Sequence, residues 1–332
     1  MERQLRAVEE LEAGAKWQAV FHSLWPAYHA WFLTEGDAAR PSYLAARQAL
    51  QRYMPELVPT YERLAALAGG GDSVARFLSL YCPTPYMTGC SQAVWSRGDP
   101  ILVRNYDYHP RLWDAVILHS AWNGRRVIAS TDCVWGVLDG MNEDGLAVSL
   151  AFGGRKAVGE GFGIPLVLRY VLEFCRTTRE AVSVLRHVPS HMSYNVTVCD
   201  SAGQYKTVHV APDRPTVVTK RPVATNHQEW IEWSRYAEVT GSVEREKFLD
   251  ERLTDRRETA DGLVQRFLEP PLYSTRFDHG WGTLYTVDYR PRSLVATFRW
   301  PHIALTLGFD RFEETTLALT YKMGLSVPPG SP

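Results

Sequence analysis

An Asn-Gly pair at 123–124 joins A-V-I-L-H-S-A-W to R-R-V-I-A-S-T. Two such residues between β-rich runs accept the positive φ angles of a tight turn and dictate an antiparallel hairpin. The pattern recurs on either side. Gly98-Asp99-Pro100 separates S-Q-A-V-W from I-L-V-R-N-Y-D-Y, and Asn142-Glu143-Asp144-Gly145 separates W-G-V-L-D-G-M from L-A-V-S-L-A-F. Strands return in Y-N-V-T-V-C-D, in Q-Y-K-T-V-H-V, and late in G-T-L-Y-T-V-D-Y-R-P-R-S-L-V-A-T-F. Helices come in separate blocks. I-P-L-V-L-R-Y-V-L-E-F-C is one, Thr177 to Glu180 is a capping box opening a second that Pro189 ends, and residues 228–268 are charged and helical. Hairpins with segregated helices make the chain α+β rather than doubly wound.

The first 80 residues have another texture. L-R-A-V-E-E-L-E-A-G, W-Q-A-V-F-H-S-L-W-P-A-Y-H-A-W-F-L and P-S-Y-L-A-A-R-Q-A-L-Q-R-Y-M space apolar residues at helical intervals, the last after a Pro41-Ser42 start. Gly69 to Asp72 breaks the pattern, and the two prolines of Cys82 to Tyr86 forbid a helix interior, leaving an exposed or extended connector. Gly89-Cys90 follows at once. The chain divides into a helical leader, 1–89, and a strand-rich region, 90–332.

Composition bounds the function. A chain of 332 residues, 45% apolar, buries a sizeable core. A net charge of −1 with scattered Lys and Arg gives no reason to expect nucleic acid. The charged start M-E-R-Q-L-R lacks a signal peptide's apolar stretch, and no run reaches the ~18 apolar residues of a membrane span. The expectation is a soluble, cytoplasmic protein that binds neither nucleic acid nor membrane. Its five cysteines are an odd number with no C-x-x-C pair, which fits free thiols better than a disulfide scaffold or a zinc site.

Cys90 stands out by its neighbours. Arg104 and Asp107 lie on the strand that folds back against the Cys90 strand. Strict alternation puts them on opposite faces, so both reach the cysteine only if the strand ends or bends there. An arginine beside a thiol favours the thiolate. An ordinary strand-end salt bridge explains the same residues. Asn226, in Thr225-Asn226-His227, carries a neutral, directional amide suited to an oxyanion; a turn asparagine is the plain alternative. His227 could pair with Cys90 as in papain-like proteases. Arg276, in S-T-R-F, could hold negative charge or lie on the surface. Asn142 to Gly145 reads as a structural turn.

Taken in order, these stretches resemble the N-terminal nucleophile (Ntn) hydrolases of the choloylglycine hydrolase and penicillin acyltransferase group, from about Cys90 to Pro301. The family's R-N-x-D-[WFY] is matched by R-N-Y-D-Y, its N-E-x-G-L-x-[VI] by N-E-D-G-L-A-V, and its helix R-x-[LV]-L-E-x-C-x-[TS]-x-x-E-A by R-Y-V-L-E-F-C-R-T-T-R-E-A. T-N is matched at Thr225-Asn226, S-x-R-F by S-T-R-F, and G-T-[LV]-Y-[TS] by G-T-L-Y-T.

The resemblance implies a four-layer α-β-β-α sandwich of two antiparallel sheets. It implies self-cleavage between Gly89 and Cys90, with Gly89 tolerating a strained backbone. Cys90 becomes the nucleophile and its freed α-amine, of unperturbed pKa ~7.7–8.0, the base. Asp107 orients the amine, Arg104 lowers the thiol pKa, Asn226 donates to the oxyanion and Arg276 completes the polar site. An acyl-thioester then forms from a small-molecule linear amide. No metal or cofactor is implied, and the apolar leader is expected to stay bound after the cut. Acyl transfer to an amine, and a silent uncleaved ligand-binding homologue, are the other readings. One departure is the Leu150-Ala151-Phe152 triplet, where bile-salt-type members have L-N-[FY]; a second oxyanion donor there would come from backbone.

Overall fold

The computed structural model describes residues 1–322. The leader begins with β1 (Glu2–Glu9) and continues as helices α1 (Ala15–Phe32), α2 (Tyr43–Tyr53), α3 (Val58–Leu67) and α4 (Asp72–Leu78). The first hairpin is β2 (Gly89–Trp95) and β3 (Ile101–Tyr108). Next come β4 (Val116–Ser120), β5 (Val127–Asp132), β6 (Gly136–Asn142) and β7 (Ala147–Phe152). Helices α5 (Ile164–Phe174) and α6 (Thr178–His187) precede β8 (Tyr194–Cys199), β9 (Tyr205–Val210), β10 (Val217–Thr219) and β11 (Val223–Ala224). Helices α7 (Ser234–Thr240), α8 (Ser242–Thr254) and α9 (Ala260–Arg266) lead to β12 (Thr275–Arg276), β13 (Trp281–Arg290), β14 (Val295–Trp300), β15 (Ile303–Gly308) and β16 (Thr315–Thr320).

Two sheets result. One runs β10-β9-β8-β7-β6-β5-β4-β1-β16, and the other β11-β2-β3-β13-β14-β15 with β12 against β13. They face each other, because Gln92 on β2 donates to the Asn195 carbonyl on β8 (3.0 Å) and accepts from Ser149 on β7 (2.5 Å). Helix α5 covers the outside of the first sheet so closely that a Cβ on Gly140 would meet the Leu172 side chain at 2.8 Å. Helices α8 and α9 cover the second, where Asn105 on β3 donates to the carbonyls of Phe267 and Leu272. This is the expected α-β-β-α sandwich. The Asn142 turn is structural as expected, its side-chain oxygen accepting from the Asp144 and Leu146 amides.

One expectation fails. Residues 2–9 are a strand, parallel to β4 and antiparallel to β16. The segment E-R-Q-L-R-A-V-E buries Leu5 and Ala7, a period-two pair, whereas Leu5, Val8 and Leu11 fit helical spacing. Its strand partners lie about 110 and 310 residues away in sequence, so nothing local decides between the two. The remaining leader is helical and packs on the body. Trp17 donates to the Val134 carbonyl, Trp135 to the Leu78 carbonyl, and Tyr170 to Glu56. Among the described residues no helix is long and apolar enough to cross a membrane.

Candidate active site

The β2–β3 register pairs Gly89 with Asp107, Cys90 with Tyr106, Ser91 with Asn105 and Gln92 with Arg104. Paired residues share a face, so Cys90 and Arg104 point between the sheets while Asp107 points at the helices. The strand needs no bend. The inter-sheet face carries the sulphur with Arg104, and the helix face carries Asp107 with Arg245, which grips the backbone beside the sulphur.

On the inter-sheet face, Arg104 Nη2 lies 3.1 Å from Cys90 Sγ. Its Nη1 donates to Asp139 on β6, which also accepts from the hydroxyls of Tyr285 and Tyr289 (both 2.6 Å). Arg104, Asp139 and Cys90 are all fully buried. Burial pushes the Cys90 thiol up, with Arg104 pulling the other way and Asp107 adding to the rise. Arg104 thus acts on the thiol in the expected, lowering direction. In the intact chain the penalty of a buried thiolate outweighs the arginine.

On the helix face, Arg245 of α8 collects the junction. Its Nη1 donates to the Cys90 carbonyl (2.8 Å), Ser91 Oγ (2.7 Å) and Asp107 Oδ2 (3.2 Å), and its Nη2 to Asn226 Oδ1 (2.8 Å). Thr283 donates to the other Asp107 oxygen (2.7 Å). Burial raises the Asp107 carboxyl, opposed first by Arg245 and then by Thr283.

Asn226 also accepts from the Cys90 amide (2.9 Å) and donates to the Thr88 and Phe152 carbonyls (both 3.2 Å). Arg245 can only donate and carbonyls can only accept, so these partners fix which end of the amide is which. Tyr236 of α7 adds a second donor to the Thr88 carbonyl (2.7 Å). The junction is thus clamped and buried. Gly89 sits in β2 with a backbone outside the left-handed region. Its lack of a side chain matters for space, since a Cβ would meet the Asp107 Cβ at 2.9 Å.

A cavity of about 390 Å³ opens onto Gly89 and Asp107, walled by the 239–241 turn and the 270–276 segment. Arg276 lies on its rim and is exposed, so the fold places it beside this cavity rather than against the sulphur. His227 does not form a papain-like pair. Its Nδ1 meets Ser242 Oγ (2.8 Å) and its Nε2 meets Glu246 (3.1 Å). Among the described residues, no cluster of three or more His, Cys, Asp or Glu side chains could hold a metal ion.

Sequence reasoning missed Arg245, Tyr236 and Asp139. Arg245 left one trace, a buried row of Ser242, Arg245 and Leu249 in an otherwise charged helix, where an arginine occupies an apolar face. Asp139 and Tyr236 left none.

A cysteine at the start of a central strand, in a two-sheet sandwich, between an arginine and a clamped upstream peptide, defines an amide-cleaving or acyl-transferring enzyme of the Ntn type. The chain belongs to the acyl-coenzyme A:6-aminopenicillanic acid acyl-transferase family, whose model matches residues 95–304 and so takes in Arg104, Asp107, Asn226 and Arg276. No curated protein sequence matches it. Similar solved structures include a mutant conjugated bile acid hydrolase from Clostridium perfringens, with TM-score 0.47, 13% identity, and coverage of 71% of this chain and 99% of that one. Penicillin V acylase from Agrobacterium tumefaciens gives 0.47, 14%, 67% and 87%. The Caenorhabditis elegans N-acylethanolamine-hydrolyzing acid amidase ortholog gives 0.45, 19%, 70% and 100%.

Proposed function

We propose that the chain cuts itself between Gly89 and Cys90 and then uses Cys90 to cleave the C–N bond of a small linear amide. The observation that carries this reading is the double clamp on the Thr88 carbonyl by Asn226 and Tyr236, which fixes the Thr88–Gly89 peptide immediately upstream of the bond to be cut. The Cys90 thiol attacks the Gly89 carbonyl and forms a thioester as the peptide bond shifts from nitrogen to sulphur. Water hydrolyses that thioester, leaving residues 1–89 as one fragment and a free thiol and α-amine on Cys90.

The amine supplies the base that an amide nitrogen cannot. Asp107, on the helix face beside the junction, sets its orientation through Arg245. Release of the Thr88 carbonyl frees the Asn226 amide nitrogen, which becomes the donor to the substrate's tetrahedral oxyanion. Arg104 stabilises the thiolate. Arg276, on the rim of the 390 Å³ cavity, meets the polar end of the substrate. The acyl group then passes from Cys90 to water or to an amine. The named similar structures act on a conjugated bile acid, penicillin V and an N-acylethanolamine, three acyl amides, and an acyl amide is the class proposed here. The leader stays bound because β1 lies between β4 and β16 within a sheet.

The test uses a panel of aryl-acetyl and fatty-acyl anilides with rapid quenching and peptide mass analysis. The expected result is an acyl mass on the peptide that begins at Cys90, partitioning between acid and new amide as an amine is added. Amide cleavage by Cys90→Ala at the wild-type rate would overturn the reading.

A further inference from the structure

We infer that Asp139 is the positioning residue that aims Arg104 at the Cys90 sulphur and sets how much of its charge the thiol receives. The inference rests on Cys90 being the nucleophile. The guanidinium is completely buried and has two ends in use, Nη1 on Asp139 and Nη2 on Cys90 Sγ at 3.1 Å. Arginine is planar and rigid, so anchoring one nitrogen fixes where the other points. The Tyr106 ring lies 4.9 Å from the guanidinium carbon and holds the fork's plane.

Asp139 is itself fixed from the opposite sheet. Tyr289 donates to Oδ1 and Tyr285 to Oδ2, both at 2.6 Å, and these two tyrosines stand on the strand next to Arg104's own. Each hydroxyl draws on the carboxylate's charge. What remains pairs with Arg104, and what Arg104 does not give to Asp139 it gives to sulphur. The arrangement is a relay from two tyrosines through a carboxylate and an arginine to the nucleophile, and it crosses from one sheet to the other and back.

Other groups lie near the same residue. Thr88 Oγ1 approaches the sulphur at 3.7 Å, the side chains of Tyr106, Tyr194 and Tyr236 lie within electrostatic reach of it, and Asp107 with Arg245 acts from the helix face of the strand. None of them makes a hydrogen bond to Asp139, so a change at Asp139 reaches the thiol through Arg104.

The experiment is a titration of Cys90 in the full chain labelled with 13Cβ-cysteine, the resonance being assigned by its absence in Cys90→Ser. This readout needs no turnover. Intact masses of the same samples report processing separately, so an uncleaved wild type bears on the nucleophile reading and the titration bears on Asp139. Asp139→Asn leaves the thiolate as the main counter-ion of Arg104, and the Cys90 midpoint is expected to fall by about 1–2 pH units. In an Arg104→Met background the same change is expected to do nothing, because the arginine that links Asp139 to the sulphur is gone. An unchanged midpoint, or an equal shift in both backgrounds, overturns the inference.

If Asp139→Asn fails to fold or changes processing, Tyr289→Phe replaces it. It returns charge to the carboxylate, draws Arg104 away from sulphur, and is expected to raise the midpoint. No rise, or a fall, overturns the inference equally.

Discussion

Among the buried carboxylates of the described residues, two pairs are handled differently. Asp107 and Asp139 flank Cys90, and each is matched to an arginine, Arg245 and Arg104. Asp114 and Asp132 lie beneath the leader and, among the described residues, neither forms an ion pair; their partners are hydroxyls and backbone amides, Asp114 accepting from Thr131 (3.3 Å) and from the Val134 amide (3.0 Å). Tyr28 of α1 donates to both carboxyls, and Tyr86 of the connector donates to Asp132 (2.7 Å). Burial and the charge of Asp114 push the Asp132 carboxyl up to about 7. Around Cys90, arginines allow buried charge to be kept and directed. Under the leader, a proton does that service, and the pair binds phenols. The first pair suits chemistry and the second suits holding a segment in place. Their surroundings make the difference, since all four are aspartates.

The comparison can be broken most severely at Arg245. Arg245→Met strands Asp107 and the Cys90 carbonyl in the interior, and about 3–5 kcal/mol of stability should disappear. Urea unfolding measures it, and a loss below about 1 kcal/mol would mean that the ion pair at 3.2 Å contributes little.

The second test concerns pH. The folded-state pKa of Asp132 lies above its unfolded value, so the native chain binds the extra proton. That contribution is fully present below about pH 4 and is lost as pH rises through about 7. Stability of the wild type should therefore fall across this window, and Asp132→Asn should flatten the decline. A variant with an unaltered slope would place the titration elsewhere.

A smaller effect is expected at Gly89→Ala. The added methyl must displace the Asp107 Cβ, 2.9 Å away, at a cost of about 1–3 kcal/mol, read as a lower melting temperature and slower processing. The smallest belongs to His227→Ala, which removes hydrogen bonds to Ser242 and Glu246 worth about 1 kcal/mol. Amide cleavage should stay within a few-fold of wild type; near-complete loss would restore the papain-like pair.

Much of this architecture was legible in the sequence, and the reason is local. Turn residues such as Asn123-Gly124 specify hairpins without reference to distant partners, and hairpins in series make antiparallel sheets. Cys90, Arg104 and Asp107 were readable because one hairpin brings them together, so counting positions suffices. Strand β1 was misread because its identity is set by β4 and β16, far along the chain. Arg245 and Asp139 escaped for the same reason. Each arrives from a different layer of the sandwich, and neither its type nor its spacing distinguishes it from ordinary charged residues of a helix or strand. The net shift of the thiol was also out of reach, because burial, which opposes Arg104, is a property of the assembled core.

The most direct measurement is the intact mass of the purified wild type and of Cys90→Ala, expressed in parallel. The account predicts two fragments from the wild type, the larger beginning at Cys90 and co-purifying with the leader, and a single uncut chain from the variant. A wild-type chain that remains whole from Met1 over days, or a variant that is cut at the same bond, would contradict it.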